Sequence, residues 1–274
     1  MKEKVSDRIA ISTSIFREKM PVDEKSLSLI AEAGIRNVEI FEDSSQYDLS
    51  NPLDAKKLRD MCSNLGLSII SYHAYEILFN GIESEPAREK LVDTCKRQLD
   101  NLQEAGGTIW ADHTRIFDKP SMKCHQDLLR YVEGTKVKIV TENFVTEGAW
   151  AEDRMAYFKE LPHPQLGLLL DIGHVKNKAG GRPMTLPGGP TEILTLCGEK
   201  LYHVHLHGFK NGKGHYPPLC PGDEIQWQEL IPCLWDIGYN GYILFEPAQR
   251  SVLSEALDYT GRMGSNITEM LGHN

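Results

Sequence analysis

The chain has 274 residues, 41% of them hydrophobic and 25% charged, a balance that excludes fibrous and disordered classes and allows a large buried core. Its formal charge of −9 disfavours non-specific attraction to nucleic acid or to anionic membrane surfaces. No run approaches the ~18 apolar residues of a membrane-spanning helix, and the N-terminal residues lack the apolar stretch of a secretory signal, so a cytoplasmic location is expected.

Taken in chain order, short runs rich in β-branched residues alternate with longer stretches of helical apolar spacing. Strands are predicted at residues 8–14, 37–41, 67–73, 108–113, 137–143, 166–171, 201–207 and 242–246. Helical patterns fill the gaps, among them 23–33, 52–65, 86–105, 227–237 and a closing one at 252–271. Glycines just after these runs, such as Gly34, Gly66 and Gly238, mark helix ends. Eight strand–helix pairs predict a (β/α)8 TIM barrel, a single α/β domain over residues 1–274. Two stretches, 177–190 and 208–221, read as irregular loops after strands six and seven, on the face where barrel enzymes do chemistry. The six scattered cysteines form no C-x-x-C pair and are read as reduced packing residues.

The predicted strands end in polar residues: Glu39 and Glu42, His73, Asp112 and His113, Glu142, Asp171 with His174, then His203, His205 and His207, and finally Glu246. In a barrel these ends converge on one mouth. Carboxylates gathered there repel one another and resist ionising unless a cation neutralises them. Glu142, Asp171, His205 and Glu246 therefore read as ligands of one divalent ion; three carboxylates and an imidazole suit manganese, cobalt or magnesium and admit zinc or iron. One net negative charge remains, which favours a neutral polyol or carbonyl compound as substrate. Glu39, Glu42 and Asp112 read instead as caps or salt-bridge partners. The alternation of His203, His205 and His207 points all three to one side of their strand, with His203 deepest and His207 toward the rim. His125, His163 and His273 read as surface residues. Phe16, Phe41, Trp110, Phe144, Trp150, Phe209, Tyr216 and Trp227 are candidates to wall the pocket, with Phe209 and Tyr216 as a lid. No phosphate-binding glycine loop, nucleophile elbow or H-E-x-x-H motif is present.

This set of strand ends resembles the xylose-isomerase-like barrel superfamily of sugar isomerases, ketose 3-epimerases, inosose dehydratases and type IV apurinic endonucleases. HVHLHG, PGDEIQW and DIGYNGYILFEP are similar in order and spacing to the seventh and eighth strands of ketose 3-epimerases, and LLLDIGH to their sixth. The resemblance implies a metal-dependent sugar or inosose isomerase or epimerase in which Glu142, Asp171, His205 and Glu246 bind the metal. Glu142 and Glu246 would then be the acid/base pair, moving a proton beside a carbonyl through an enediolate that the metal stabilises. His174, His73, His113, His207 and Tyr216 are the expected substrate contacts. The chain departs from the epimerase pattern at Gly208 and Asn211, where epimerases carry a glutamate and an arginine that grip the sugar.

Two alternatives accompany this reading. A metal-dependent dehydratase or lyase subunit acting on a keto-sugar would use the same metal and base. A type IV apurinic endonuclease would use His73, His113, His174 and His215 as zinc ligands, but Lys213 stands where that family has an aspartate, and the acidic charge opposes duplex binding. The expected partners are a small sugar or polyol, no membrane and no nucleic acid, with a homo-oligomer or an obligate partner subunit allowed.

Overall fold

Among the described residues ten strands follow one another: β1 (Ile9–Ser12), β2 (Asn37–Phe41), β3 (Ser68–Ala74), β4 (Ile109–Asp112), β5 (Lys138–Glu142), β6 (Leu166–Asp171), β7 (Leu201–Leu206), β8 (Gly208–Lys210), β9 (Lys213–Tyr216) and β10 (Ile243–Phe245). All but β8 and β9 are parallel and close into a barrel in the order β1-β10-β7-β6-β5-β4-β3-β2. Eight α-helices among the described residues cover it: α1 (Glu24–Glu32), α2 (Pro52–Asn64), α3 (Glu85–Glu104), α4 (Lys119–Tyr131), α5 (Ala151–Glu160), α6 (Gly189–Cys197), α7 (Trp227–Asp236) and α8 (Leu253–Met270). The structure, a computed structural model, describes residues 4–146, 150–177, 180–248 and 251–272. His273, expected at the surface, lies outside them. No helix among the described residues is long and apolar enough to cross a membrane.

Local chemistry sets the boundaries. Asp23 and Ser26 cap α1 reciprocally, each side chain accepting the other's backbone N–H at 2.9 Å. Asn51, Ser84 and Asp118 cap α2, α3 and α4, each followed within two residues by a proline whose missing N–H costs nothing there. β2 and β6 end where expected and β3 one residue later, whereas β1, β4, β5, β7 and β10 stop one or two residues short; β1, for instance, passes directly into a 3-10 turn at Thr13–Phe16.

The two expected loops hold more structure than their composition suggests. Residues 208–221 contain an antiparallel hairpin pairing Gly208 with Tyr216 and Lys210 with Lys213. Its turn is Asn211-Gly212, both at positive φ (52° and 74°), the pair that a two-residue hairpin requires. Asp223 anchors this hairpin to α7: its carboxylate accepts the backbone N–H groups of Phe209, Leu219 and Ile225 and the indole N–H of Trp227. The stretch 177–190 includes a 3-10 turn at Pro183–Thr185 and the first residues of α6.

Alternation along each strand divides the side chains in two. Outward residues such as Ile11, Val38, Leu168, Val204 and Phe245 join the main core between barrel and helices. Inward residues near the strand starts form small apolar plugs, one of Ala10, Ile70 and Leu244 and one of Ile109, Ala111, Val140 and Leu169. Above them the inward positions turn polar. Asp112 and Glu42 fall on the outward side: Glu42 accepts a hydrogen bond from Gln98 of α3, and Asp112 Oδ2 lies 3.1 Å from His125 Nε2 of α4. His125 is thus not a surface residue; it is fully buried, on the inner face of α4 with Ser121 and Leu128, and the Tyr157 hydroxyl reaches its other ring nitrogen at 3.0 Å. All six cysteines are free and buried.

Replacing Asp112 with Ala leaves His125 and the Thr114 N–H buried without their partner, and should lower stability by about 3 kcal/mol in denaturant unfolding. A loss within experimental error would show that this inter-layer pair contributes nothing.

Candidate metal centre

The inward polar positions meet in one buried cluster at the C-terminal mouth. Glu39 of β2 lies at its floor: one carboxylate oxygen accepts from Ser71 at 2.8 Å and sits 3.0 Å from His203 Nε2, and the other is 3.1 Å from His205 Nε2. His205 Nδ1 faces Glu246 Oε2 at 3.2 Å, so this imidazole stands between two carboxylates. Across the mouth, His73 Nε2 and His113 Nε2 approach to 2.5 Å, and His113 Nε2 is 2.9 Å from Glu142 Oε2. The other Glu142 oxygen takes His174 Nδ1 at 2.7 Å. Asp171 Oδ1 accepts the backbone N–H groups of Gly173 and His174 at 2.8 and 2.9 Å and meets His207 Nε2 at 3.1 Å.

The residues fit a bound cation, and unsatisfied atoms show it. Buried polar atoms are normally hydrogen-bonded. Here Glu39 Oε1, His73 Nδ1, Glu142 Oε2, Asp171 Oδ2 and both ring nitrogens of His205 are buried without a hydrogen-bond partner; the short approaches to His205 lie off the line its N–H would take. Two imidazole nitrogens 2.5 Å apart cannot both carry a proton on the facing side. Donor atoms within 4.8 Å of one another come from Glu142, Asp171 and His205, from Glu39, His73, His205 and Glu246, and from His73, His113 and Glu142. A cluster of Asp171, His174 and His215 adjoins them. Mixed carboxylate and imidazole donors suit a first-row divalent ion.

Electrostatics tell the same story. Burial works against the carboxylates, yet the surrounding imidazoles outweigh it: His205, His203 and His73 hold Glu39 well below the usual carboxylate range, and His113, His174 and His73 do the same for Glu142. His174 and His207 lower Asp171, and His205 lowers Glu246, against the same burial. In return His73 is pushed up to about 9, burial notwithstanding, by Glu142 and Glu39, and His174 to about 9 by Asp171 and Glu142. His113, His203 and His215 move down, burial being the main cause.

Above the cluster opens a cavity of about 440 Å³ lined by His73, His113, Glu142, His174, His215 and Glu246 below, and by Arg17, Phe41, Tyr75, Arg115 and Phe144 higher up. His207 and Tyr216, expected substrate contacts, do not line it. His207 is fully buried behind His215, the rings stacked 4.2 Å apart, because Gly173 and Gly214 leave it room: a Cβ on either would come within 2.2 and 2.5 Å of its ring. Tyr216 lies on the hairpin with the Lys210 ammonium 4.7 Å from its ring centre. Of the expected aromatic walls, Phe41 and Phe144 reach the cavity, whereas Phe16, Trp110, Phe209 and Trp227 are core residues. Glu39, read from the sequence as a cap or salt-bridge partner, instead joins the donor cluster, its inward parity matching that of Phe41; Asn143, whose side chain pins the Asp171 backbone at both its N–H and its carbonyl, was not singled out.

Cation binding should release protons, since His205, raised well above its ordinary value by Glu39 and Glu246 in spite of burial, must deprotonate to ligate, and the added positive charge lowers His73 and His174 beside it. Apparent Mn2+ affinity should therefore rise from about pH 6 toward pH 9, with heats that depend on buffer ionisation enthalpy in titration calorimetry. Affinity and heat independent of pH and buffer would contradict this.

Comparisons with known proteins place the chain. Among solved structures, the 3-keto-D-glucoside 4-epimerase of E. coli superposes with a TM-score of 0.74 at 16% identity, covering 94% of this chain and 99% of that one. The D-psicose 3-epimerase of Clostridium cellulolyticum H10 gives 0.69 at 15%, covering 96% and 98%. A xylose isomerase-like TIM barrel protein from Mycobacterium smegmatis, in complex with magnesium, gives 0.72 at 15%, covering 98% and 99%. Two curated 3-dehydroshikimate dehydratases, from Pseudomonas putida and Pseudomonas aeruginosa, are each 25% identical, over 223 and 219 residues and 76% of this chain. The chain spans only 31% of the length of either. Residues 27–263 match the family described as xylose isomerase-like TIM barrel, and the chain belongs to that family.

Proposed function

We propose that the chain removes a proton beside a carbonyl group of a small polyhydroxylated substrate, as a divalent-metal-dependent isomerase or epimerase of a sugar or inosose. The observation that carries this reading is the pair Glu142 and Glu246, two carboxylates three places apart around the barrel that face one cavity above a buried donor cluster. A divalent ion held by Glu142, Asp171, His205 and Glu246, manganese first among the candidates, would polarise the carbonyl and acidify the adjacent C–H.

The chain's own groups supply the rest. Glu142 keeps one oxygen on His174 and leaves the other without a hydrogen bond, which suits it to accept the proton. Glu246 faces the same cavity from β10 and returns a proton, to the opposite face for epimerisation or to the neighbouring carbon for isomerisation. His174, His73 and His113 line the cavity and are placed to bind substrate oxygens.

Similarity to the dehydratases supports a second reading, in which the same proton removal is followed by loss of a hydroxyl as water instead of reprotonation. One experiment separates the two. Protein loaded with Mn2+ is incubated in D2O with ketoses, inososes and 3-dehydroshikimate, beside a chelated control, and followed by proton NMR. Deuterium entering beside a carbonyl without loss of water supports the epimerase or isomerase; new olefinic or aromatic signals support the dehydratase. Neither change with any compound would contradict both. Glu246→Gln should lower the active signal by about a thousandfold, and a variant near wild-type rate would remove Glu246 from the chemistry.

A further inference from the structure

The rim of the cavity carries a charge that the proposed reaction does not use. Arg17 and Arg115 are the lysine or arginine residues among its described lining, and neither guanidinium has a hydrogen bond or ion pair among the described residues. Arg115 is exposed, whereas Arg17 is half-buried and is thereby set apart from the other partly or fully buried arginines among the described residues. Arg88 is held by Glu85 and Asp127, Arg154 by the carbonyls of Glu142 and Thr114, Arg8 by those of Tyr239 and Gly241, and Arg182 by that of Gly173.

Aromatic faces pack against both guanidiniums. Arg17 lies 5.5 Å from the Phe41 ring centre and 4.9 Å from that of Tyr75, and Arg115 lies 5.3 Å from that of Phe144; all three rings wall the cavity. Packing against a ring face fixes a guanidinium while leaving its in-plane N–H donors available. Arg17 acts electrostatically on Asp43, whose carboxylate already accepts from Ser45 and Gln46. A second observation comes from Ser14, one turn before Arg17: its side-chain hydroxyl is buried, has no hydrogen-bond partner and belongs to the same cavity wall.

We propose that Arg17 with Ser14, and Arg115 from the facing rim, form a subsite for a carboxylate, so that the substrate is a polyhydroxylated carbonyl compound bearing an acid group. The proposal rests on the proton-abstraction reading for the rest of the substrate. It reverses the expectation of a neutral substrate, which weighed only the ligand carboxylates of the floor. A planar carboxylate matches the guanidinium fork and adds one negative charge. A phosphate monoester would bring nearly two into a mouth that already holds Glu39, Glu142, Asp171 and Glu246.

The test uses six-carbon probes that differ in one group: D-gluconate, neutral D-glucitol and D-glucitol 6-phosphate, titrated into the full chain with and without Mn2+. Gluconate should bind at least about tenfold more tightly than glucitol in both states, a margin of the size one charge-assisted hydrogen bond gives. Arg17→Met and Arg115→Met should each erase most of that margin, with thermal midpoints and Mn2+ affinity unchanged, and Arg17→Lys should keep part of it. Equal binding of gluconate and glucitol, or a margin that survives both Met variants, would overturn the subsite. A phosphate probe that outbinds gluconate tenfold would overturn the carboxylate assignment. The NMR experiment separates this proposal from the reaction itself: deuterium exchange with neutral ketoses but no gluconate preference defeats the subsite alone. A gluconate preference without exchange in any carbonyl compound defeats the reaction alone.

Discussion

Four carboxylates buried within one barrel mouth repel one another, and the surroundings of Glu39, Glu142, Asp171 and Glu246 answer that repulsion. Imidazoles separate them, taking up charge until His73 and His174 are pushed up to about 9. Backbone N–H groups satisfy one oxygen of Asp171 and leave the other bare. Such an arrangement is costly to fold, since each ion loses its hydration. It becomes economical when a divalent cation supplies the missing positive charge at the centre, and function then explains what stability alone does not.

The support around the cluster shows how that cost is contained. Arg154, fully buried, donates to the carbonyls of Glu142 and Thr114, fixing the ends of β5 and the segment after β4 together. Asn143 fastens β5 to β6 at Asp171. Asp223 holds the hairpin that carries His215 over Glu246. These contacts come from residues without a place in the proposed chemistry, yet they determine where its carboxylates stand.

Much of this was legible in the sequence because the strand period is strict. Inward residues recur every second position, so Glu142, Asp171, His205 and Glu246 could be assigned to one mouth from their places at strand ends. What was missed turns on parity and distance. Glu39 and Asp112 look alike as strand-end acids, but Glu39 shares the inward parity of Phe41 while Asp112 points to His125 on α4. His125 reads as polar and therefore exposed, although the positions of Ser121 and Leu128 mark its face as the buried one. Asn211-Gly212 announced a hairpin inside a segment whose glycines and prolines read as irregular. Arg17 and Arg115 had no signal at all, since their lack of a hydrogen-bond or ion-pair partner among the described residues is a fact of space, which the sequence does not carry.

The central claim is that these donors converge on one divalent ion, and anomalous diffraction from crystals grown with Mn2+ tests it most directly. The account requires a manganese peak in the barrel mouth with Glu142, Asp171, His205 and Glu246 within about 2.5 Å. A mouth without a peak at saturating Mn2+, or an ion bound without Glu142 and Glu246, would contradict it.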